Sequence, residues 1–117
     1  MNLNIALIPY GQISYYIPSL LKYFQESESW TKGRANVDDI VRFAMTGTMQ
    51  LWVVYEPENG NVHGYVMTEI KQYPQKKMFV IQYCAMDPNH MQFVADVMHE
   101  TADRFARDMN CSGVEFF

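Results

Sequence analysis

The chain has 117 residues, 49% of them hydrophobic and 15% aromatic, which suits one packed domain spanning residues 1–117 rather than two. Its formal net charge is −4, and an acidic balance argues against a nucleic-acid binder that works by neutralising phosphates. No apolar run approaches the ~18 residues of a membrane span, and the first residues lack the basic start of a secretory signal.

Asn4 to Ile8 is a short apolar run closed by Pro9, which predicts a strand on or near a sheet edge. Ile13, Ile17, Leu20, Leu21 and Phe24 then recur at helical spacing. Pro18 interrupts that pattern, and a proline is best tolerated at a first helical position, so the main helix is expected from about Pro18 to Ser27. Glu26 to Arg34 is polar apart from Trp30 and reads as a loop. Asn36, followed by Asp38 and Asp39, is an N-cap with carboxylates in the first turn, starting a helix over Val37 to about Thr46 that Gly47 ends.

Gln50 to Glu56 is rich in β-branched and aromatic residues and predicts a strand. Asn59-Gly60 is a hairpin signal, so Val62 to Gln72 is the return strand. Tyr73 to Lys76 turns the chain into a third strand, Lys77 to Met86. Asp87 and Pro88 then form a helix start, and Met91, Val94, Met98, Ala102, Phe105 and Met109 lay one apolar stripe along a helix to about Met109. Glu100 with Arg104, and Asp103 with Arg107, are expected as pairs on its wet face. Gly113 to Phe117 is the last strand. The order β-α-α-β-β-β-α-β predicts a mixed α/β fold, an antiparallel meander feeding a C-terminal βαβ crossover.

Chemistry is sparser. Cys84 and Cys111 form no CxxC pair, and both read as reduced, core-type thiols, with a disulfide between them the less favoured alternative. His90 and His99 would lie about 180° apart on one helix and cannot share a metal, so no metal site is expected. His63 flanks the hairpin, and Cys84 with His90 suggests a thiol and base only weakly. The loop from Trp30 to Arg34 concentrates basic and aromatic residues and is a candidate protein contact.

The element order, with Tyr16-Ile-Pro-Ser-Leu-Leu, Gly33-Arg-Ala-Asn-Val-Asp-Asp-Ile, Gln50-Leu-Trp-Val and Ile81-Gln-Tyr-Cys-Ala, resembles the GNAT acyltransferases, and in particular short GNAT-like proteins carried by tailed bacteriophages. The resemblance implies that Lys77 to Met86 pairs with the pantetheine arm of acetyl-CoA, with Tyr83, Cys84 and Ala85 as cofactor contacts. It also implies Glu69, Tyr83 or His63 as base. Enzymes of the family carry a Q/R-x-x-G-x-G/A loop before the long helix, whose N–H groups cradle a diphosphate. Here that loop is Cys84-Ala85-Met86-Asp87-Pro88-Asn89-His90, with no glycine, and with Asp87 where phosphates would sit. A non-catalytic GNAT-like protein is therefore expected, virion-associated or for assembly, without cofactor, cytoplasmic in a host cell or in the virion and not secreted. Its contacts would be Gly113, Val114, Phe116, Phe117, Trp30 and Arg34, serving a partner or self-association through an open last strand. A small N-acetyltransferase using acetyl-CoA is the alternative.

Overall fold

The structure is a computed structural model and describes residues 2–116. Five strands form one sheet: β1 (Asn4–Leu7), β2 (Gln50–Tyr55), β3 (Val62–Gln72), β4 (Lys77–Met86) and β5 (Gly113–Phe116). They lie side by side in chain order. The first four alternate antiparallel, and β5 runs parallel to β4 because a helix carries the chain back between them. The expected order and meander are therefore observed.

Helices α1 (Ile13–Trp30) and α2 (Val37–Met45) cover one face, where Leu20, Phe24 and Ile40 bury against Leu51, Val53, Tyr65 and Met67. Helix α3 (Met91–Asp108) covers the other, setting Met98, Ala102 and Ala106 on Trp52, Val66, Phe79 and Ile81. At α2 the expected cap is a full capping box: Asp39 N–H donates to Asn36 Oδ1 and Asn36 N–H to Asp39 Oδ2.

Helix α1 begins five residues before Pro18 and holds that proline in its interior. An interior proline costs ~3 kcal/mol, whereas burying a large apolar side chain contributes ~1.5–3 kcal/mol. Ile13, Leu20 and Phe24 are all buried on the same stripe, so packing outweighs the broken ladder. The helix also runs on through Glu26 to Trp30, where a loop is expected. Ser27 explains this: its hydroxyl accepts from Tyr65 Oη at 2.5 Å and donates to the Cys84 carbonyl at 3.2 Å, so this polar turn has buried partners on the sheet. The turn into α2 follows with Lys32 and Gly33 at φ of 54° and 84°.

Smaller differences follow the same logic. Pro88–His90 form a 3-10 turn before α3, which ends at Asp108 with Asn110 at φ 60°. Asp103 faces His99 at 4.0 Å rather than Arg107, while Arg104 reaches Glu100 at 3.3 Å as expected. The Asn59-Gly60 signal does make a hairpin, but with residues 56–61 as the connection and only Gly60 at positive φ. Phe117 lies outside the described residues.

One irregularity shapes the rest of the molecule. Thr68 pairs with Ile81 and Met67 with Tyr83, so Gln82 is an extra residue in β4, a β-bulge. It reverses the alternation: Phe79 and Ile81 face α3, whereas Tyr83 and Ala85 face α1.

Candidate functional site

The ladder between β4 and β5 runs from Met78↔Gly113 to Ile81↔Phe116, while β4 continues to Met86. From Gln82 onward β4 is paired with β3 and not with β5. Beside this half-paired segment opens a cavity of about 550 Å³. Its floor is Ile81 to Met86, its walls are the end of α1 (Glu26, Ser27, Trp30), the turn carrying Thr31 and Arg34, Lys71 of β3, Met91 at the head of α3, and Phe116. The lining is mostly apolar with a few converging polar groups, the usual character of a small-molecule site.

The cavity gathers residues that sequence reasoning kept apart. Tyr83, Cys84 and Ala85, which the family resemblance implies as cofactor contacts, line it. Trp30, Arg34 and Phe116, expected as a protein-contact surface, line it as well, and Trp30 and Phe116 remain 73% and 68% exposed at its rim. Gly113 and Val114 sit in the parallel ladder opposite Met78 and Phe79, so they are structural neighbours of the site rather than part of its wall. Glu69 is not on the wall, but its carboxylate accepts from the amide of Gln82, which is, and Lys71 Nζ lies 3.5 Å from it.

Cys84 is not the core cysteine expected: the bulge turns it toward the cavity, where it is exposed. Both cysteines are free thiols. The surrounding walls still withdraw solvent from Cys84, and this desolvation, with the nearby Glu26 charge, raises its thiol above the ordinary range. It is held as a thiol and is a poor nucleophile at neutral pH. Tyr83 is likewise raised, first by desolvation and then by Glu69, and its ring stacks on Phe43 at 6.4 Å.

His63 lies outside the cavity wall. It is one of a separate group at the far end of β3 and β4. Its Nδ1 lies 2.9 Å from Asp87 Oδ2 and its Nε2 2.5 Å from Glu56 Oε1, while Tyr23 Oη donates to Asp87 Oδ1 at 3.0 Å. The Asp87 bond, followed by Glu56 and opposed by desolvation, raises the imidazole. Burial alone would lift the Asp87 carboxyl, but the bonds from His63 and Tyr23 outweigh it and leave it lowered. Glu56 is lowered by its bond from His63 and then by Asn59. Asp87, expected to confront an anion at the head of α3, is thus turned into this group instead. His90 also joins it, its ring meeting that of His63 edge to face at 5.0 Å.

No family model matches the chain, and no curated protein matches it. Solved structures do. A GNAT family acetyltransferase of Staphylococcus aureus superposes with a TM-score of 0.70 at 10% identity, over 100% of this chain and 87% of that one. The ribosomal-protein-alanine N-acetyltransferase of Brucella melitensis gives 0.71 at 13% identity, over 99% and 79%. An aminoglycoside acetyltransferase from an uncultured soil metagenomic sample gives 0.70 at 15%, over 100% and 80%. The chain has the GNAT fold. At these identities the likeness shows the fold alone.

These neighbours also correct one expectation. The glycine-free loop predicts a non-catalytic virion or assembly protein, whereas the matched folds are acetyltransferases, aminoglycoside and ribosomal-protein enzymes among them. The Asp87 carboxylate of that loop does not face a ligand at the head of α3, because it is engaged by His63 and Tyr23. Among the described residues no helix is long and apolar enough to cross a membrane.

Proposed function

We propose that this GNAT-like domain is a small N-acyltransferase that takes its acyl group from an acyl-CoA thioester bound along β4. The observation that carries the reading is the half-paired strand: beyond Ile81, the edge of β4 that β5 leaves runs into a cavity. An extended arm bearing amides can add to such an edge as a strand would.

The fit to the cofactor is good along its acyl-pantetheine arm. The segment from Gln82 to Met86, paired with β3 but not with β5, supplies backbone groups on its open edge, and Ile81, Met91 and Phe116 supply apolar wall. The turn at the head of α3 offers less: Pro88 has no N–H, and those of His90 and Met91 close on Asp87 and Pro88 carbonyls. The residues that would hold the donor are therefore those of the strand edge.

When bound, the thioester supplies an activated acyl group, and the chain's own part is to orient the acceptor and move protons. Tyr83, kept protonated by desolvation, is placed to give a proton to the departing thiolate. Glu26, a carboxylate on the wall, takes the base role for which the family resemblance implied Glu69, Tyr83 or His63. Glu69 positions Gln82. Trp30, Arg34 and Phe116 at the rim receive the acceptor amine's remainder, in place of the protein contact expected of them.

The test is transfer itself: purified protein, acetyl-CoA and a panel of primary amines, followed by release of free CoA thiol. Tyr83→Phe is expected to lower kcat by ~10²–10⁴-fold with the melting temperature little changed. Thiol release from no amine, together with no binding of acetyl-CoA, would remove the reading.

A further inference from the structure

We propose a divalent transition-metal site formed by His63, Asp87 and His90, at the end of β3 and the turn into α3. Sequence spacing sets His90 against His99 and so points away from a metal. The fold instead sets His90 against two residues of the hairpin. One ligand atom from each of His63, Asp87 and His90 lies within 4.8 Å of the others, and all three residues are half-buried, open to an entering ion. His63 Nδ1 and Asp87 Oδ2 are already 2.9 Å apart. Two ligands ~2.0–2.1 Å from a tetrahedral ion stand ~3.3 Å from each other, so this pair needs only a slight opening. Among the described residues no side chain hydrogen-bonds the His90 ring, so its imidazole is able to turn and complete the triangle.

The surroundings resemble those of a metal centre more than those of an incidental ion pair. Glu56 accepts from His63 Nε2 and holds the ring so that Nδ1, on releasing to solvent the proton it shares with Asp87, becomes the ligand, and Glu56 is itself steadied by Asn59 Nδ2 at 2.8 Å. Tyr23 donates to the other oxygen of Asp87, leaving Oδ2 for the ion. Asp87 N–H also donates to the His63 carbonyl at 3.0 Å, which ties the two ligand-bearing segments together. Two imidazoles and one carboxylate suit zinc or a neighbouring transition ion rather than magnesium, and three protein ligands leave a position open to water or an exogenous ligand. None of the three lines the acyl-transfer cavity, so the inference stands or falls apart from the proposed function.

The experiment uses the full chain stripped with a chelator and dialysed free of it, titrated calorimetrically with zinc sulfate and, in parallel, magnesium chloride. Thermal melts and the visible spectrum with cobalt(II) complete it. One zinc per chain, a rise in melting temperature with zinc and not magnesium, and cobalt bands of a tetrahedral nitrogen–oxygen site are expected. His90→Ala, which removes a ring with no hydrogen bond, should keep the metal-free melting temperature and lose the zinc response. Glu56→Gln should weaken zinc by ~10–100-fold. The proposal is overturned if the unmodified chain shows neither zinc stabilisation nor cobalt bands, or if His90→Ala, folded, binds zinc as tightly as before.

Discussion

The two halves of β4 make opposite uses of the same kind of sequence. From Met78 to Ile81 the strand is hydrogen-bonded on both sides, to β3 and to β5, and its residues are buried. From Gln82 to Met86 it has β3 as its one neighbouring strand among the described residues, with the Ser27 hydroxyl of α1 donating to the Cys84 carbonyl, and Tyr83 and Cys84 open to a cavity. Composition separates them little, since both are apolar but for Gln82. What separates them is the extra residue Gln82, which reverses the alternation where β5 departs. A strand closed on both edges becomes core, and one relieved of a neighbour becomes a place where a ligand's own amides can bond.

That contrast is breakable from the closed side first. Phe79 is fully buried and meets Phe105 edge to face with ring centroids 5.2 Å apart, so Phe79→Ala should cost ~3–5 kcal/mol of stability by urea unfolding. Next comes the strand behind the open half. A Cβ built on Gly64 would stand 2.5 Å from the Ala85 carbonyl oxygen and from Met86 Cβ, closer than such atoms approach. Gly64→Ala should therefore cost ~1–3 kcal/mol by forcing β3 and β4 apart, and should weaken ligand response with it.

On the open side the effect should fall on binding instead. Cys84→Phe fills the cavity from an exposed position, so its stability should stay within ~0.5 kcal/mol of the parent while acetyl-CoA no longer raises the melting temperature. Such a variant separates site from core more cleanly than either substitution above.

The smallest effect is a rate. The raised thiol of Cys84 means less thiolate at a given pH than an ordinary cysteine holds. In a Cys111→Ser background, alkylation by iodoacetamide should be slower at pH 7.5 in the folded chain than in urea. The folded rate should climb later as pH rises, and acetyl-CoA should slow it further. Equal folded and unfolded rates would show the cavity to be as wet as bulk solvent.

Element order was legible because the signals are local: the Asn36 cap, the Gln50–Glu56 strand and the Asp87-Pro88 start each carry their own chemistry. What escaped is long-range. Ser27 is helical because Tyr65, 38 residues away, receives it, and no local feature of Glu26 to Trp30 announces that partner. A single glutamine in an otherwise apolar run does not signal a bulge, so Cys84 reads as core. The group around His63 was within reach in principle. Counting the β3–β4 hairpin back from Gln72↔Lys77 brings the Gly64↔Met86 pair to its end, which sets His63 beside Asp87 once the bulge is allowed for. Treating the histidines by spacing along one helix missed it, because His63 comes from a strand and His90 from the turn before α3.

Binding of acetyl-CoA tests the open half of β4 most directly. Thermal melts of the unmodified chain across an acetyl-CoA titration should show a saturable rise, following the mass-action form for a ligand held only by the folded state, ~2.7 kcal/mol at a hundredfold excess over Kd. Cys84→Phe should abolish that rise and Cys111→Ser should leave it intact. A melting temperature unmoved by saturating acetyl-CoA would contradict the assignment of the β4 edge as the acyl-donor site.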